Sequence, residues 1–298
     1  METADVCPAC GESTIRDLVH LTMPLDRGGQ LPARIAECRH CTHRFLPLTP
    51  EELRRVEEVY DDTYAGFRED PFFARTIRGE IAGTLLPRVP APARVLDVGC
   101  GAGEFMRAAA DAGYQVEGID LSEAAAELCR SRGLNARSGD FLTLPLDGGY
   151  DLITMWDVVE HLREPAAFLG RARELLAPGG LLVLKIPGFG RLTFSILDAY
   201  GRLAPNLLGA PSHVQYFTPR SLNALLARCG YGAVEPLPPK RFRARPPVRT
   251  LKALVARPVV RLLAMASGNR NLYLTARAPG AGGPPEASEA QTRGATGW

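Results

Sequence analysis

The sequence predicts an α/β protein: a doubly wound parallel sheet preceded by a small N-terminal ribbon. Three observations carry this. Between residues 93 and 190, short apolar runs alternate with segments of helical periodicity, the signature of repeated strand–helix units. Leu181 to Ile186 is nearly continuous in apolar residues and closes on Pro187, as a parallel strand buried on both faces requires. Ahead of that region, Cys7-Pro8-Ala9-Cys10 and Cys38-Arg39-His40-Cys41 form two Cys-x-x-Cys knuckles.

The bulk numbers agree. With 298 residues the chain has ample length to bury a core as one large or two modest domains. Hydrophobic residues at 46% and charged residues at 23% are ordinary for a globular chain, and a net charge of +2 selects no partner. No apolar run reaches membrane-spanning length and the start, Met1 to Asp5, is acidic rather than leader-like, so the expected compartment is cytoplasmic. Seven cysteines in two spaced pairs and three singles indicate metal usage, not a disulfide framework.

Residues 1–48 are expected to form a zinc ribbon. Four thiolates, from Cys7, Cys10, Cys38 and Cys41, suit a tetrahedral Zn²⁺ and fill its coordination sphere, which makes the metal structural. Gly11 relieves the turn after the first knuckle, and Leu18 to Ile35 reads as a β segment with a Gly28-Gly29 turn. His40 and His43 are expected at the surface. Residues 49–92 read as a helical cap and linker. Thr49-Pro50-Glu51-Glu52 supplies a cap, a first-turn proline and acids. Asp70-Pro71 opens a second helix ending near Pro87, and Pro87, Pro90 and Pro92 make a hinge.

The catalytic unit spans 93–277. Its key stretch runs from Arg94 through Asp97, Gly99, Gly101 and Gly103 to Phe105. Apolar residues lead into an acid, then alternating glycines, then a helix. The glycines permit a sharp turn and close approach of a ligand, and the helix start offers N–H groups to a carboxylate or phosphate. The spacing is Asp-x-Gly-x-Gly-x-Gly, unlike a dinucleotide fingerprint; Asp97 would repel a pyrophosphate but pair with an ammonium group. A helix to about Ala112 stops at Gly113, and a second strand runs from Tyr114 to Asp120. Ser122 caps a helix that ends at Gly133. A third strand leads to Asp140-Phe141. The fourth, Tyr150 to Thr154, precedes Met155-Trp156-Asp157-Val158-Val159-Glu160-His161. Pro165 starts a helix, Pro178-Gly179-Gly180 ends it, and the Leu181 strand follows. Ligands of such sheets bind beyond the carboxyl ends of the strands, where Gly99, Asp120, Asp140 and Asp157 lie.

Beyond the fifth strand the pattern changes. Residues 188–217 are apolar with scattered glycine and proline, and read as a lid over the site. Thr218 caps and Pro219 starts a helix to Cys229. Residues 240–268 form a basic amphipathic insert within a stretch that carries no acid, a character suited to an anionic membrane surface or a lipid-linked substrate. Asn271 to Ala276 is expected to pair antiparallel with Val234–Leu237, and residues 278–298 are a Gly/Pro/Ala-rich, disordered tail.

The glycine stretch resembles motif I of the class I S-adenosylmethionine (SAM) methyltransferases, whose fold is Rossmann-like. The resemblance extends over roughly residues 93 to 235. Asp120 stands where the family places an acid on the ribose hydroxyls. Asp140-Phe141 matches the pair that meets the adenine amino group and ring. Leu176 to Leu182 matches a Leu-x-Pro-Gly-Gly-x-Leu signature. His213 to Leu222 matches a His-x-x-x-Phe-Thr-Pro-x-x-Leu pattern of small-molecule members. The resemblance implies a SAM site formed by Asp97, Gly99, Gly101, Gly103, Asp120, Leu121, Asp140, Phe141 and Trp156. It also makes Tyr60 and Tyr64, in the preceding helices, candidates for the pocket wall.

SAM carries a methyl group already activated for displacement, so the protein must align an acceptor and keep out water. Oxygen or carbon acceptors need a proton removed, and histidine has a suitable pKa. His161 and His213, the histidines of the catalytic unit, are therefore the expected catalytic residues, with Asp157 and Glu160 placed to orient a histidine or bind an acceptor hydroxyl. Cys100, Cys129 and Cys229 are expected to pack. The function implied is O- or C-methylation of a small molecule: a sugar, a glycolipid or a natural-product intermediate. An alternative is an RNA methyltransferase using the ribbon and basic segment, but the ribbon is not strongly basic and has few aromatics for base stacking. A non-catalytic SAM-binding scaffold is a third class. The basic helix is expected either to pack on its own domain with its bases solvated or, as the alternative, to hold the enzyme peripherally on the inner membrane face.

Overall fold

In the computed structural model of the protein, the described residues are 6–24, 29–56, 85, 88–189, 212–236 and 270–280. The helices expected over 57–84 (with Tyr60 and Tyr64), most of the 188–217 lid, the 240–268 insert and the tail from 281 lie outside them.

β1 (Ile15–Pro24) and β2 (Gln30–Cys38) form an antiparallel hairpin that pairs from Ile15↔Cys38 to Pro24↔Gln30, with a register shift between Asp17 and Val19. β3 (Arg44–Phe45) adds to β2. Glu37 of β2 is buried, yet its carboxylate stays below the usual range. Burial opposes ionisation, but Arg16 donates to it at 2.9 Å and the buried Arg44 at 3.0 Å. Thr49 and Glu52 exchange reciprocal bonds at the start of the helical stretch 50–56, as the Thr-Pro-Glu-Glu sequence predicts.

The main sheet holds β4 (Arg94–Val98), β5 (Gln115–Asp120), β6 (Asn135–Ser138), β7 (Tyr150–Trp156) and β8 (Leu176–Gly188), all parallel. Between them run α1 (Glu104–Asp111), α2 (Glu123–Ser131) and α3 (Pro165–Leu175). Then come β9 (Gln215–Tyr216), α4 (Pro219–Arg228), β10 (Gly232–Pro236) and β11 (Arg270–Arg277). The order is β10-β11-β8-β7-β4-β5-β6, with β11 antiparallel to both neighbours. Strand order reverses at β4, which opens a crevice beyond its carboxyl end.

The central strands are apolar on both faces because both are covered. Leu96, Ile153, Leu182 and Leu184 pack toward Leu169 of α3 and Leu222 and Leu225 of α4. Val95, Leu152 and Val183 pack toward Phe105 and Ala109 of α1. Full burial of each such side chain contributes about 1.5–3 kcal/mol. The family turn Pro178-Gly179-Gly180 does not precede the fifth strand; it is a bulge inside it. Tyr150 already pairs with Leu176, and the register slips before Leu152↔Leu181, with Gly179 at φ 76°.

β9 leaves the main sheet and completes the ribbon instead, pairing Arg44↔Tyr216 and Phe45↔Gln215. The knuckle residues Cys7, Ala9, Cys38 and Cys41 share one buried cluster with Leu222, Leu225 and Leu226 of α4. His43, expected at the surface, is fully buried; its ring lies 4.6 Å from that of Phe217 and its Nε2 is 2.7 Å from Gln215 Oε1. The docking partners that bury it come from the far end of the chain. His40 is exposed, as expected. Among the described residues no helix is long and apolar enough to cross a membrane.

Candidate functional site

The glycine loop closes β4. Gly99, Gly101 and Gly103 have φ of 72°, 50° and 76°, a region that side chains disfavour. Gly99 and Cys100 both donate to Ile119 O, tying the loop to β5. Space matters as well: a Cβ at Gly99 would stand 2.5 Å from Val158 Cγ2, and one at Gly103 2.6 Å from Leu134 Cδ1. The loop is thus packed directly against the 157–161 segment. α1 begins at Gly103 with no side-chain cap, so its first N–H groups are left for a ligand.

Two buried acids flank the loop. Asp97 is 1% exposed and accepts a 2.6 Å hydrogen bond from Thr154 Oγ1. Burial pushes its carboxyl up to about 7; the Thr154 bond opposes this and the charge of Asp120 adds to it. Asp120 accepts from the amides of Gly101 (2.9 Å) and Ser122 (3.0 Å), while burial raises its pKa. Leu121 beside it is 74% exposed. Asp140 is exposed and accepts from the Leu142 amide, whereas Phe141 is turned inward against Phe168, ring centroids 5.5 Å apart. Trp156 ends β7 with its ring packed on Phe105, and its buried indole N–H has no acceptor among the described residues. These features suit SAM. A buried acid that needs a cation fits its ammonium group, an uncapped helix start fits its carboxylate, and an exposed leucine fits an apolar ring face.

The other side of the crevice carries the histidines. Asp157 sits at φ 53°, its amide donating to Lys185 O and its carboxylate paired with Lys185 Nζ. Lys185 is a residue the motif reading passed over; a lone charge in the otherwise apolar β8 is the signal that marks it. Val159–His161 forms a single 3-10 turn. His161 Nδ1 lies 2.8 Å from Ser212 O; a carbonyl only accepts, so Nδ1 carries the proton and Nε2 of the neutral ring the lone pair. Burial lowers the His161 pKa, which keeps the ring neutral near pH 7. The His213 ring meets it edge-on at 4.8 Å. Glu160 is fully buried, and neither carboxyl oxygen takes a hydrogen bond from the described residues. Burial, then the charge of Asp157, pushes its pKa well above the usual range. Donor atoms of Glu160, His161 and His213 lie within 4.8 Å of one another, a set that also suits a divalent cation.

The four ribbon cysteines converge as their spacing implies. Their sulfurs lie within 4.8 Å of one another, with Cys7–Cys41 and Cys10–Cys38 each at 3.6 Å. A tetrahedral zinc with Zn–S near 2.3 Å needs sulfurs about 3.8 Å apart, so the cage fits. The knuckles share one turn: Gly11 donates to Cys7 O and Thr42 to Cys38 O, both at 2.9 Å, and both residues are left-handed. Packed together, the thiols diverge. A hydrogen bond with Cys41 lowers the pKa of Cys7, while burial raises that of Cys10. Cys100 and Cys129 are buried and Cys229 is partly buried, in keeping with packing roles.

Comparison with known proteins follows this geometry. Residues 69–235, more than half of the chain, match the family model described as "Methyltransferase domain". A ubiquinone biosynthesis O-methyltransferase of Bordetella avium is 31% identical over 163 residues, which cover 51% of this chain and 65% of the relative. A Mycolicibacterium smegmatis protein named "Probable S-adenosylmethionine-dependent methyltransferase" is 31% identical over 189 residues, covering 62% and 65%. The chain thus spans 65% of the length of each of these two relatives. Among solved structures, phosphoethanolamine N-methyltransferase 2 of Haemonchus contortus in complex with SAM superposes with a TM-score of 0.56. Identity there is 15%, with 89% of this chain and 69% of that one covered, so the likeness is one of fold.

Proposed function

The chain belongs to the family of methyltransferase domains, and on that premise we propose that it transfers a methyl group from SAM to a small-molecule acceptor. The acceptor class is a sugar, a glycolipid or a natural-product intermediate, methylated at oxygen or carbon. One observation carries this reading: the histidine-bearing segment packs directly on the glycine loop, Val158 against Gly99, so a proton acceptor and a cofactor cradle meet in one crevice.

SAM, when bound, supplies the activated methyl group. Asp97 is placed to pair with its ammonium group. The amides at the start of α1, with Gly99, Gly101 and Gly103, would hold its carboxylate, and Asp120 would hold its ribose hydroxyls. Asp140 would meet the adenine amino group and Leu121 and Phe141 would cover its ring, with Trp156 as a further candidate for the cofactor site. His161 accepts the acceptor's proton at Nε2. The resulting imidazolium keeps its Nδ1–H bond to Ser212 O and gains from the negative charge of Asp157. His213 orients the ring edge-on. Cys7, Cys10, Cys38 and Cys41 would hold a structural zinc, with no step of the reaction on it. The expected compartment remains cytoplasmic, with an anionic membrane surface or lipid-linked acceptor as a partner of the 240–268 segment.

Calorimetry with SAM, followed by incubation of labelled SAM with cell extract, tests the reading. His161→Ala should keep SAM affinity and lose about 10²- to 10⁴-fold in methyl transfer. Unchanged SAM binding by Asp97→Ala and Asp120→Ala would sink the cofactor assignment. Label in RNA would turn the reading to an RNA methyltransferase, and label in the lipid fraction would select a lipid-linked acceptor.

A further inference from the structure

The turn that carries Glu160 and His161 does not hold itself. Among the described residues it closes on two short-range backbone bonds, His161 N to Val158 O at 3.0 Å and Leu162 N to Val159 O at 3.4 Å. What braces it comes from the ribbon. Val214 donates its amide to Glu160 O and accepts at its carbonyl from Leu46 N, both at 2.9 Å, so one residue bonds to the ribbon side and the turn at once.

The next residue completes the brace. Gln215 is 3% exposed. Its Nε2 donates to Leu162 O at 2.9 Å and reaches Arg163 O at 3.5 Å. Both partners are carbonyls that only accept, so the amide orientation is determined and Oε1 must face the other way, toward His43 Nε2 at 2.7 Å. Oε1 also only accepts, so His43 carries its proton on Nε2. Its Nδ1, then a bare acceptor, has no hydrogen-bond partner among the described residues, which agrees with that tautomer. The imidazole also contacts two aromatic rings, Phe45 at 5.8 Å and Phe217 at 4.6 Å, which restrict its movement. A hydrogen-bonded line therefore runs from the strand after the second knuckle, through His43 and Gln215, to the two carbonyls that follow His161.

We propose that Gln215 is a positioning residue, which with His43 of the ribbon fixes the turn bearing Glu160 and His161. The inference rests on the reading of His161 as the base. It gives the ribbon a task in the chemistry that holding a metal does not by itself imply. Gln215→Leu removes the whole line while keeping bulk. His43→Phe keeps the aromatic stack and removes only the link to the ribbon.

The test uses the zinc-loaded full chain with ¹³C-labelled histidine. Both variants are expected to shift or broaden the ring resonances of His161 and His213, and to speed amide exchange at His161 and Leu162. SAM affinity by calorimetry should stay within about twofold, as for an independent site, with zinc content unchanged. With a competent acceptor, kcat should fall about tenfold while KM for SAM holds. Resonances and exchange identical to wild type in either folded variant overturn the proposal. So does a loss of SAM affinity in step with the histidine changes, which means general loosening. If Gln215→Leu does not fold, His43→Phe decides alone. Failure of the wild-type chain to bind SAM would defeat the functional reading and leave the histidine measurement standing.

Discussion

Asp97 links cofactor affinity to pH. An acid at about 7 in the fold, against 3.8 ordinarily, binds its proton more tightly folded than unfolded. Its contribution to stability is therefore present below about pH 4 and lost as pH rises through about 7. A ligand ammonium reverses the preference, because it interacts with the ionised form. SAM affinity is expected to rise on the order of tenfold between about pH 6 and pH 7.5 in calorimetry, and Asp97→Asn should flatten that rise. At this scale the sequence was informative about chemistry and silent about neighbours. The left-handed glycines were legible from their spacing beside an acid. That Gly99 is also needed to seat Val158, a residue far along the chain, was not. His43 misled for the same reason. Flanked by Thr42 and Arg44 just past a knuckle, it reads as surface, and the contacts from Gln215 and Phe217, distant in sequence, were not visible there.

Among elements, helix starts and stops were the most legible features. Ser122 accepts from the Ala125 amide at 3.3 Å, and Thr218 with Ser221 forms a full capping box ahead of Pro219. Gly113 and Gly133 adopt the left-handed turn after their helices. Capping depends on residues three apart, so a local string suffices to see it. The bulge in β8 was not visible, because pairing with Tyr150, not local preference, extends the strand back to Leu176. Thr218 has a second task that its motif does not reveal: its hydroxyl lies 3.2 Å from that of Thr42 in the ribbon. Thr218→Ala should therefore cost about 1–2 kcal/mol, the upper part of the range for a lost cap, in denaturant titration. Thr42→Ala, which leaves the cap intact, should cost less.

For the whole molecule, alternating units predicted the parallel sheet, whereas the strand order β10-β11-β8-β7-β4-β5-β6 comes from the structure. The union of ribbon and sheet was hidden. Residues 1–48 read as a zinc ribbon; the structure adds that Cys7 and Cys41 share a core with α4 and that β9 belongs to the ribbon's sheet. Chelating the zinc should accordingly lower the thermal midpoint of the entire chain. Fluorescence of Trp156, buried in the main sheet, should follow the same single transition as circular dichroism. Two separated transitions would mean that the ribbon melts on its own. The pairing of Phe45 with Gln215 also sets a schedule for biosynthesis. At about 5–20 residues per second, the ribosome needs roughly 10–30 s after β3 to make its partner. Through that interval the nascent ribbon exposes an open strand edge and the phenyl ring of Phe45, a combination prone to mispairing. Capture of a metal by the knuckles would not close that edge, because the strand that covers it does not yet exist.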